Sequence, residues 1–366
     1  MKRDKHKKDL YICNSVYQLL NAVNLRMNVF SEDAADVVIS DICPDHERTA
    51  QRIRESGLFD SVYAVNSKFI FRQQYKHTRF RVNLYRVDPS SLLRKAGPIP
   101  KGKYDRYITA AFDDYISMLF VLLQRRNRHI EHIRFEDGGM SYVKDHACVN
   151  DVERRMQRLF GIVPLGSIRA PMYLYEPELY SAGDGRTVLP MPKLSKDDTR
   201  FISAVNGIFG VAEGEELRQK AVFFEASYQA DGLKTNDKEL IELCGSILGD
   251  ELAIKLHPRN GVNRFRQAGI SVFKSDMPWE LYCLNYDVGG KLLISVTSNA
   301  AISPQLFLAE PPRTVLLYKL FQGKDVLLEI EEYKDYLAKI LKKCPRIRVP
   351  EDEAALRAAL LEGVRE

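Results

Sequence analysis

The sequence lacks several short motifs that mark common nucleotide and metal sites. Its 366 residues contain no D-x-D, no G-x-x-x-x-G-K-[ST] and no G-x-G-x-x-G. The usual marks of a metal-bound diphosphate sugar, an ATP P-loop and a nicotinamide site are therefore absent. The six cysteines are scattered without a C-x-x-C pair, which argues against a metal cluster or a disulfide framework and favours reduced thiols.

Long apolar runs are absent as well. No stretch approaches the roughly 20 residues that a membrane-spanning helix needs. The apolar run at residues 10–13 ends at the polar Asn14 and is too short for a secretory signal. We therefore expect a cytoplasmic protein, and any contact with the inner membrane would be peripheral.

Positive charge is present and unevenly distributed. The formal net charge is +5, and lysine and arginine are concentrated in residues 1–8 and 71–103. Such runs suit anionic partners or form an ordinary solvated surface. No recognised nucleic-acid module accompanies them, so we expect no nucleic-acid partner. A basic helix at residues 333–348 could rest on anionic lipid or be a solvated helix.

Strand patterns alternate with helix patterns in both halves of the chain. Residues 69–100 interrupt the alternation, either as a loop with short helices or as a poorly ordered insertion. The glycines and prolines of residues 180–194 are typical of an interdomain linker. The predicted strands are residues 9–13, 35–40, 61–65, 104–110 and 130–135, then 220–226, 251–257, 270–273, 291–296 and 313–318.

This alternation predicts an α/β fold with parallel sheets that helices cover on both faces. The length exceeds what one hydrophobic core usually supports. We therefore predict a GT-B type architecture, two Rossmann-like domains with parallel sheets facing a cleft. The predicted domains are residues 1–185 and 186–350, followed by a C-terminal amphipathic helix at 351–366. Epimerases and binding proteins share this architecture, so the fold alone does not identify the function.

The clearest candidate for chemistry lies where the strand at residues 251–257 ends. It closes on His257 and Pro258, flanked by the cations Lys255 and Arg259. Ligands of open α/β sheets bind at the carboxyl ends of the strands. A histidine there can assist the departure of a nucleotide phosphate, or it can merely hydrogen-bond a loop.

Three further polar groups follow predicted strands. Their alternative interpretation is structural, as acidic turns before glycine or as an ordinary helix cap. A carboxylate in either acidic group could take a proton from an acceptor hydroxyl, and the helix start could bind phosphate. The groups are Glu136-Asp137-Gly138-Gly139, the segment 225–232 with Asp231, and Thr297-Ser298-Asn299.

These elements, in this order, resemble the bacterial sialyltransferases of glycosyltransferase family 52, the lipooligosaccharide sialyltransferase type. Residues 10–20 are similar to the N-terminal strand–turn–helix of that family; Gln18 is retained, whereas Asn14-Ser15-Val16 departs from the pattern. The acidic-acidic-glycine, His-Pro and Ser/Thr elements of the family have counterparts here, and residues 278–280 resemble its P-x-E element. The departure at residues 14–16 bears on the identity of the acceptor more than on the identity of the donor.

The resemblance implies an inverting transferase that uses CMP-sialic acid without a metal or other cofactor and acts on a glycan or glycolipid acceptor. It implies that His257 is the general acid towards the CMP phosphate and that Glu280 contacts the ribose. Ser298 and its neighbours Thr297 and Asn299 would hold the phosphate. The base is Asp231 or Asp137, and we favour Asp231, with Asp137, Glu136, Gly138 and Gln18 on the acceptor side.

Two other classes of function remain open at this stage. The chain could be a GT-B transferase or epimerase that uses another nucleotide sugar, or a non-catalytic glycan-binding protein. The sequence also leaves the acceptor sugar, the linkage and the choice between a monomer and a homodimer open.

Overall fold

The structure of the protein is a computed structural model that describes residues 6–76, 84–143, 151–211, 216–260, 262–275 and 277–365. The chain forms two compact units. The first comprises residues 1–137, 144–192 and 203–210, and the second comprises 138–143, 193–202 and 211–366. The chain therefore enters the second unit for the first time directly after Asp137. The domain boundary predicted between residues 185 and 186 stays a prediction.

The first unit contains a seven-stranded parallel sheet in the order β3-β2-β1-β4-β5-β6-β7. Its strands are β1 (Lys8–Cys13), β2 (Ala34–Ser40), β3 (Ser61–Val65), β4 (Arg106–Thr109), β5 (Glu131–Phe135), β6 (Met172–Leu174) and β7 (Val188–Pro190). The helices in this part of the chain are α1 (Val16–Asn28), α2 (His46–Ser56), α3 (Ser67–Lys76), α4 (Ser90–Ala96), α5 (Asp114–Arg126) and α6 (Asp151–Leu159). A further helix, α7 (Thr199–Phe209), follows β7.

The second unit contains a six-stranded parallel sheet in the order β10-β9-β8-β11-β12-β13. Its strands are β8 (Ala221–Phe224), β9 (Leu252–Lys255), β10 (Ser271–Val272), β11 (Leu292–Ser295), β12 (Arg313–Leu316) and β13 (Ile347–Arg348). Its helices are α8 (Asp237–Leu248), α9 (Trp279–Asn285), α10 (Asn299–Phe307), α11 (Glu331–Lys343) and α12 (Glu353–Arg365).

Burial explains why the central strands are almost continuously apolar. From Asp9 to Cys13 every residue of β1 is buried, and so is every residue of β8 and β11. A strand with helices on both faces cannot alternate between apolar and polar residues, because neither face meets water. Each fully buried leucine or isoleucine of these strands contributes about 1.5–3 kcal/mol. Two parallel sheets covered in this way confirm the predicted α/β class.

One buried ion cluster lies at the amino ends of β1 and β4. The Arg106 guanidinium donates to both carboxylate oxygens of Asp9, at 2.6 and 2.8 Å, and also contacts Asp33. Arg106 is 7% exposed and Asp9 is 0% exposed. Burial raises the pKa of Asp9 to about 6, although Arg106 opposes this shift. The charges are retained because they neutralise one another inside the unit.

Residues 69–100 contain helices in their described part, α3 and α4. Leu92, Leu93 and Ile70 are buried against the first core, which is why these short helices are stable there. Residues 77–83 lie outside the described part of the chain. The segment predicted as a linker, 180–194, contains β7, which pairs with β6. Pro190 is tolerated because β7 is an edge strand, where one backbone donor is not needed.

The basic helix at 333–348 corresponds to α11 and β13. The apolar side of α11 is buried: Leu337 is 2% exposed and Ile340 is 0% exposed. These residues pack inside the second unit, so the interpretation that they rest on lipid is wrong. Among the described residues, no helix is both long and apolar enough to cross a membrane.

Candidate functional site

Three loops meet at the carboxyl edge of the second sheet. Strand β8 leads into Glu225, β9 into His257 and β11 into Thr297-Ser298. Because β8 lies between β9 and β11, and neighbouring strands are about 4.8 Å apart, the strands that carry His257 and Ser298 are about 10 Å apart. The sheet order thus brings together residues that are 32 to 73 positions apart in the sequence.

The backbone of His257 is held on both sides. Its amide donates to Glu225 Oε2 at 3.0 Å, and its carbonyl accepts from the Asn260 amide at 2.9 Å. Asn260 also ties this loop to the one after β8, since its side-chain amide donates to the Ala226 carbonyl at 2.8 Å. The loop that carries the histidine is therefore fixed by backbone and buried side-chain contacts.

Glu225 is itself held by a cation. Its Oε1 accepts from the Arg264 guanidinium at 2.8 Å, and Arg264 also contacts Asp237 at 2.5 Å. The Glu225 side chain is 0% exposed. A buried carboxylate of this kind needs a partner, and Arg264 supplies it. The sequence analysis included Glu225 in the candidate segment 225–232 without giving it a role, and it did not single out Arg264.

The His257 ring is oriented by its own loop. Its Nδ1 accepts a hydrogen bond from the Arg259 amide at 3.2 Å. In the neutral ring the proton therefore lies on Nε2, which is available as a donor. Burial, followed by the Arg259 charge, lowers the pKa of His257, whereas Glu225 and Asp231 oppose the shift. The ring is thus a neutral Nε2–H donor near pH 7, and an arriving phosphate would raise its proton affinity.

Asp231 lies beside His257 and is ion-paired. Arg259 Nη1 contacts its Oδ1 at 2.8 Å, and the Ser227 hydroxyl donates to its Oδ2 at 2.7 Å. The side chain of Asp231 is 38% exposed. Both carboxylate oxygens are engaged, so Asp231 already anchors Arg259 and Ser227 at this edge. Arg259, predicted to bind substrate, is the partner that holds Asp231.

Lys255 and Glu280 lie near each other at the same edge. Burial lowers the pKa of Lys255, with Glu280 opposing the shift. Burial likewise raises the pKa of Glu280, with its own backbone amide and Lys255 opposing. The Lys255 ammonium also lies 5.3 Å from the centre of the Phe273 ring. Two half-buried groups of opposite charge could bind a ribose hydroxyl and a phosphate oxygen.

The start of α10 offers a compact set of donors. Ser298 is the N-cap: its hydroxyl accepts from the Ala300 amide at 3.3 Å, and its own amide donates to Ser295 Oγ at 2.9 Å. The Thr297 hydroxyl donates to Asp325 at 2.9 Å and is 5% exposed. The Thr297 hydroxyl proton is therefore already used in a buried hydrogen bond, whereas Ser298 is half-buried at the start of the helix.

Asn299 holds a glycine turn of the second unit. Its Oδ1 accepts from the Gly139 amide at 3.1 Å. Gly138 has φ of +86°, and a Cβ at that position would lie 2.1 Å from Asn299 Nδ2. Only glycine satisfies both the backbone angle and the close approach. Gly138 is therefore needed for this packing, whereas a Cβ at Gly139 would make an ordinary contact at 3.4 Å with Asn299 Oδ1.

Polar residues of the first unit meet at the carboxyl ends of β1 and β5. Asp137 Oδ2 accepts from Gln18 Nε2 at 2.8 Å, and Gln18 Oε1 accepts from the Asn14 amide at 2.8 Å. Burial raises the pKa of Asp137 to about 6, with Gln18 and then Arg134 opposing. A half-buried carboxyl with this pKa can exchange a proton near neutral pH.

Glu136 has a different environment from its neighbour. Its side chain is wholly buried, Oε1 accepts from the Tyr17 hydroxyl at 2.7 Å, and Oε2 accepts from the Tyr175 amide at 3.2 Å. This carboxylate therefore braces β5 against α1 and the segment after β6. The bond between Asn14 and Asp113, at 2.7 Å, is a further pair at this edge that the sequence did not single out.

No protein-family model and no curated protein sequence matches this chain. The solved structures that match this chain include the following three. A glycosyltransferase from Rickettsia africae has 10% identity and a TM-score of 0.45, and the match covers 99% of this chain and 95% of that one. A UDP-N-acetylglucosamine 2-epimerase has 12% identity and a TM-score of 0.46, with 98% and 91% covered.

The third is the α/β-galactoside α-2,3-sialyltransferase of the luminous marine bacterium Photobacterium phosphoreum. It has 10% identity and a TM-score of 0.52, and the match covers 94% of this chain and 99% of that one. This likeness extends over both units. Together with the two parallel sheets, it confirms the GT-B class of fold that the sequence predicted.

Proposed function

We propose that the protein is an inverting glycosyltransferase that moves sialic acid from CMP-sialic acid to a hydroxyl of a bacterial surface glycan, lipooligosaccharide or capsule. The observation that carries the proposal is the His257 ring. Glu225 and Asn260 fix the His257 backbone, and the Arg259 amide donates to Nδ1, which leaves Nε2–H as the donor. This loop lies at the sheet edge where Ser298 caps α10. The fold likeness to a sialyltransferase and the family 52 resemblance of the sequence support the same donor.

The donor site lies in the second unit in this proposal. As the glycosidic bond to CMP breaks, negative charge develops on the phosphate. His257 Nε2–H donates to that oxygen, and Ser298 with the first amide of α10 binds the phosphate. Glu280 holds the ribose and Lys255 offsets the charge. A monophosphate carries less charge than a diphosphate, so these groups suffice without a divalent ion.

For the base we now favour Asp137 over Asp231. Asp137 is half-buried with its pKa raised to about 6, and Gln18 orients it. Asp231 is held by Arg259 and Ser227. The base accepts the proton of the acceptor hydroxyl as that oxygen attacks the anomeric carbon. Asp231 remains the alternative, and in the preferred scheme it positions Arg259.

Two other functions are tested by the same measurements. A transferase or epimerase for another nucleotide sugar would be stabilised by UDP or GDP instead of CMP. A non-catalytic glycan-binding protein would show no hydrolysis of CMP-sialic acid. Ligand at 100 times its Kd stabilises a protein by about 2.7 kcal/mol, which corresponds to several degrees of melting temperature.

The experiment compares melting temperatures in CMP, UDP and GDP and then follows hydrolysis of CMP-sialic acid by NMR. We expect a rise of several degrees with CMP and a smaller one with UDP and GDP. The His257→Gln variant should lose hydrolysis, whereas the exposed His129→Gln variant should retain it. A rise with UDP alone, or equal hydrolysis in both variants, would contradict the proposal. Insensitivity to EDTA tests the absence of a metal requirement.

We place the reaction in the cytoplasm, at the inner membrane where lipid-linked glycan acceptors are built. This location belongs to the proposal, as does the choice of acceptor. A homodimer is an open alternative to the monomer, which sedimentation velocity would decide.

A further inference from the structure

An exposed apolar tip ends helix α6. Leu159 is 84% exposed, Phe160 is 64% exposed and Val163 is 50% exposed. Exposed large apolar residues are usually scattered singly over a soluble surface. Here three of them fall within five consecutive residues, 159–163, which we call the α6 tip. Such a concentration indicates a surface that binds something apolar.

The α6 tip is a defined turn. The Gly161 amide donates to the Arg158 carbonyl at 3.0 Å, and the Ile162 amide donates to the Gln157 carbonyl at 2.9 Å. Gly161 has φ of +68°, the left-handed conformation that commonly ends a helix. This geometry reverses the chain directly after Phe160, so Leu159 and Phe160 form its apex.

The returning chain is anchored in the first unit. Ile162 is 4% exposed and packs in a small core with Val87 and Val121. The Val163 amide donates to Gln124 Oε1 of α5 at 2.8 Å. Because both sides of the turn are held, the exposure of Leu159 and Phe160 is built into the fold. Ordering this surface on binding would therefore cost little conformational entropy.

Exposed arginines lie on α6 next to its tip. Arg155 and Arg158 are exposed on the last two turns of this helix. The arginines at the end of α5, Arg125 and Arg126, donate to backbone carbonyls of the first unit and do not belong to this set. An apolar apex with exposed guanidinium groups beside it is complementary to an anionic lipid surface, where acyl chains lie beneath negatively charged headgroups.

We propose that the α6 tip inserts Leu159 and Phe160 into an anionic bilayer while Arg155 and Arg158 bind lipid phosphates. The surface belongs to the first unit, outside the residues assigned to nucleotide binding. The inference goes beyond the proposed function and does not depend on it. It also assigns membrane contact to a different element from α11, whose apolar residues are buried.

The first experiment measures co-sedimentation of the full chain with vesicles of phosphatidylglycerol and phosphatidylcholine, and with phosphatidylcholine alone. We expect preferential binding to the anionic vesicles. The Leu159→Asp/Phe160→Asp variant should bind at least about tenfold more weakly, because the apolar insertion is lost. Val262 is 67% exposed in the second unit, and Val262→Asp serves as the matched control that retains binding.

The second experiment reports insertion directly. The chain has one tryptophan, Trp279, which is buried, so Phe160→Trp adds a distinguishable probe. Its emission should shift to the blue with anionic vesicles, whereas that of Val262→Trp should not. Arg155→Glu/Arg158→Glu should weaken binding to anionic vesicles. These side chains are exposed, so melting temperatures should change little.

Three results would overturn the inference. The first is no binding of the wild-type chain to anionic vesicles. The second is equal binding by wild type and Leu159→Asp/Phe160→Asp. The third is a fall in sedimentation coefficient on that double substitution with vesicle binding unchanged, which would identify a second copy of the chain as the occupant.

Discussion

The side-chain amide of Gln18 donates a 2.8 Å hydrogen bond to the carboxylate of Asp137, and burial raises the pKa of that carboxyl to about 6. Gln18 lies in the first turn of α1 and Asp137 follows the end of β5. The bond therefore joins the start of a helix to the end of a strand at the carboxyl edge of the first sheet. The same Gln18 accepts from the Asn14 amide. One glutamine thus orients the carboxyl that we favour as the base.

The rate should depend on pH through Asp137. A base must be ionised to accept a proton, so kcat/KM should rise as the pH increases through about 6 and level off above it. Asp137→Asn should lose about 10²–10⁴ in rate, the usual range for general-base help. Asp231→Asn is the comparison: if it removes the ascending limb and Asp137→Asn does not, Asp231 is the base.

The same raised pKa has a consequence for stability. In the unfolded chain this carboxyl titrates near its ordinary value, so between about pH 4 and 6 the folded state binds more protons. The contribution of Asp137 to stability therefore falls as the pH rises through this window. Asp137→Asn should flatten that part of the stability curve measured by urea unfolding.

Removing the His257 imidazole should reduce turnover far more than stability. His257→Ala should lower kcat by about a hundredfold or more, because the hydrogen bond from Nε2–H to the charge that develops on the leaving phosphate is lost. The ring is half-buried and its loop is held by backbone bonds to Glu225 and Asn260, which the substitution leaves in place. Steady-state kinetics with CMP-sialic acid, beside a thermal melt, separates the two effects. A near-normal kcat would remove His257 from the mechanism.

A side chain at position 138 should disturb the glycine turn in two separable ways. Gly138→Ala places a Cβ 2.1 Å from Asn299 Nδ2 and also strains the positive φ. We expect a loss of about 1–3 kcal/mol in unfolding free energy. Adding Asn299→Ala removes the contact and should restore part of that loss, while the backbone strain remains. A double-mutant cycle by urea unfolding measures both parts, and strictly additive effects would contradict the contact.

The buried pair of Asp9 and Arg106 should stabilise the first unit far more than an exposed pair does. Arg106→Leu leaves the Asp9 carboxylate buried without its partner and should cost about 3–5 kcal/mol. The loss should shrink as the pH falls towards about 6, because Arg106 lowers the pKa of Asp9 and its removal lets the buried carboxyl become neutral at a higher pH than in the wild type. Lys7 and Glu131 form an exposed pair at 2.9 Å, and Lys7→Met is the control, with an expected loss below about 1 kcal/mol.

Equal losses in Arg106→Leu and Lys7→Met would show that burial does not matter at this site. An Arg106→Leu loss that does not depend on pH would show that the Asp9 charge is not its cause.

Much of the fold was predictable because buried parallel strands are read directly from apolar runs. Residues 9–13, 35–40 and 61–65 were predicted as strands, and β1, β2 and β3 occupy them to within one residue. The strands β6 and β7 were missed because each has three residues, too few to show a period. Their stability comes from pairing with β5 and with each other, which no local pattern reports.

The sequence predicted which strand ends carry the candidate site residues. It did not predict which side chains those residues contact. His257, Ser298 and Asp137 were found because polar residues directly follow buried strands. The partners Asn260, Arg264 and Asp113 were not found. Each acts through a hydrogen bond to a residue 34 to 99 positions away, the longest separation being that between Asn14 and Asp113.

The sequence by itself determined the alternation of strands and helices and the polar residues at the strand ends, since both depend on local burial and chain geometry. The tertiary structure decided which of those residues meet. The order β9-β8-β11 sets His257 and Ser298 on either side of the loop after β8, which carries Asp231 next to Arg259. In the first unit, packing of α1 against the end of β5 pairs Asp137 with Gln18. Sheet order and side-chain partners follow from packing between distant segments, and that packing sets the chemistry of each carboxyl.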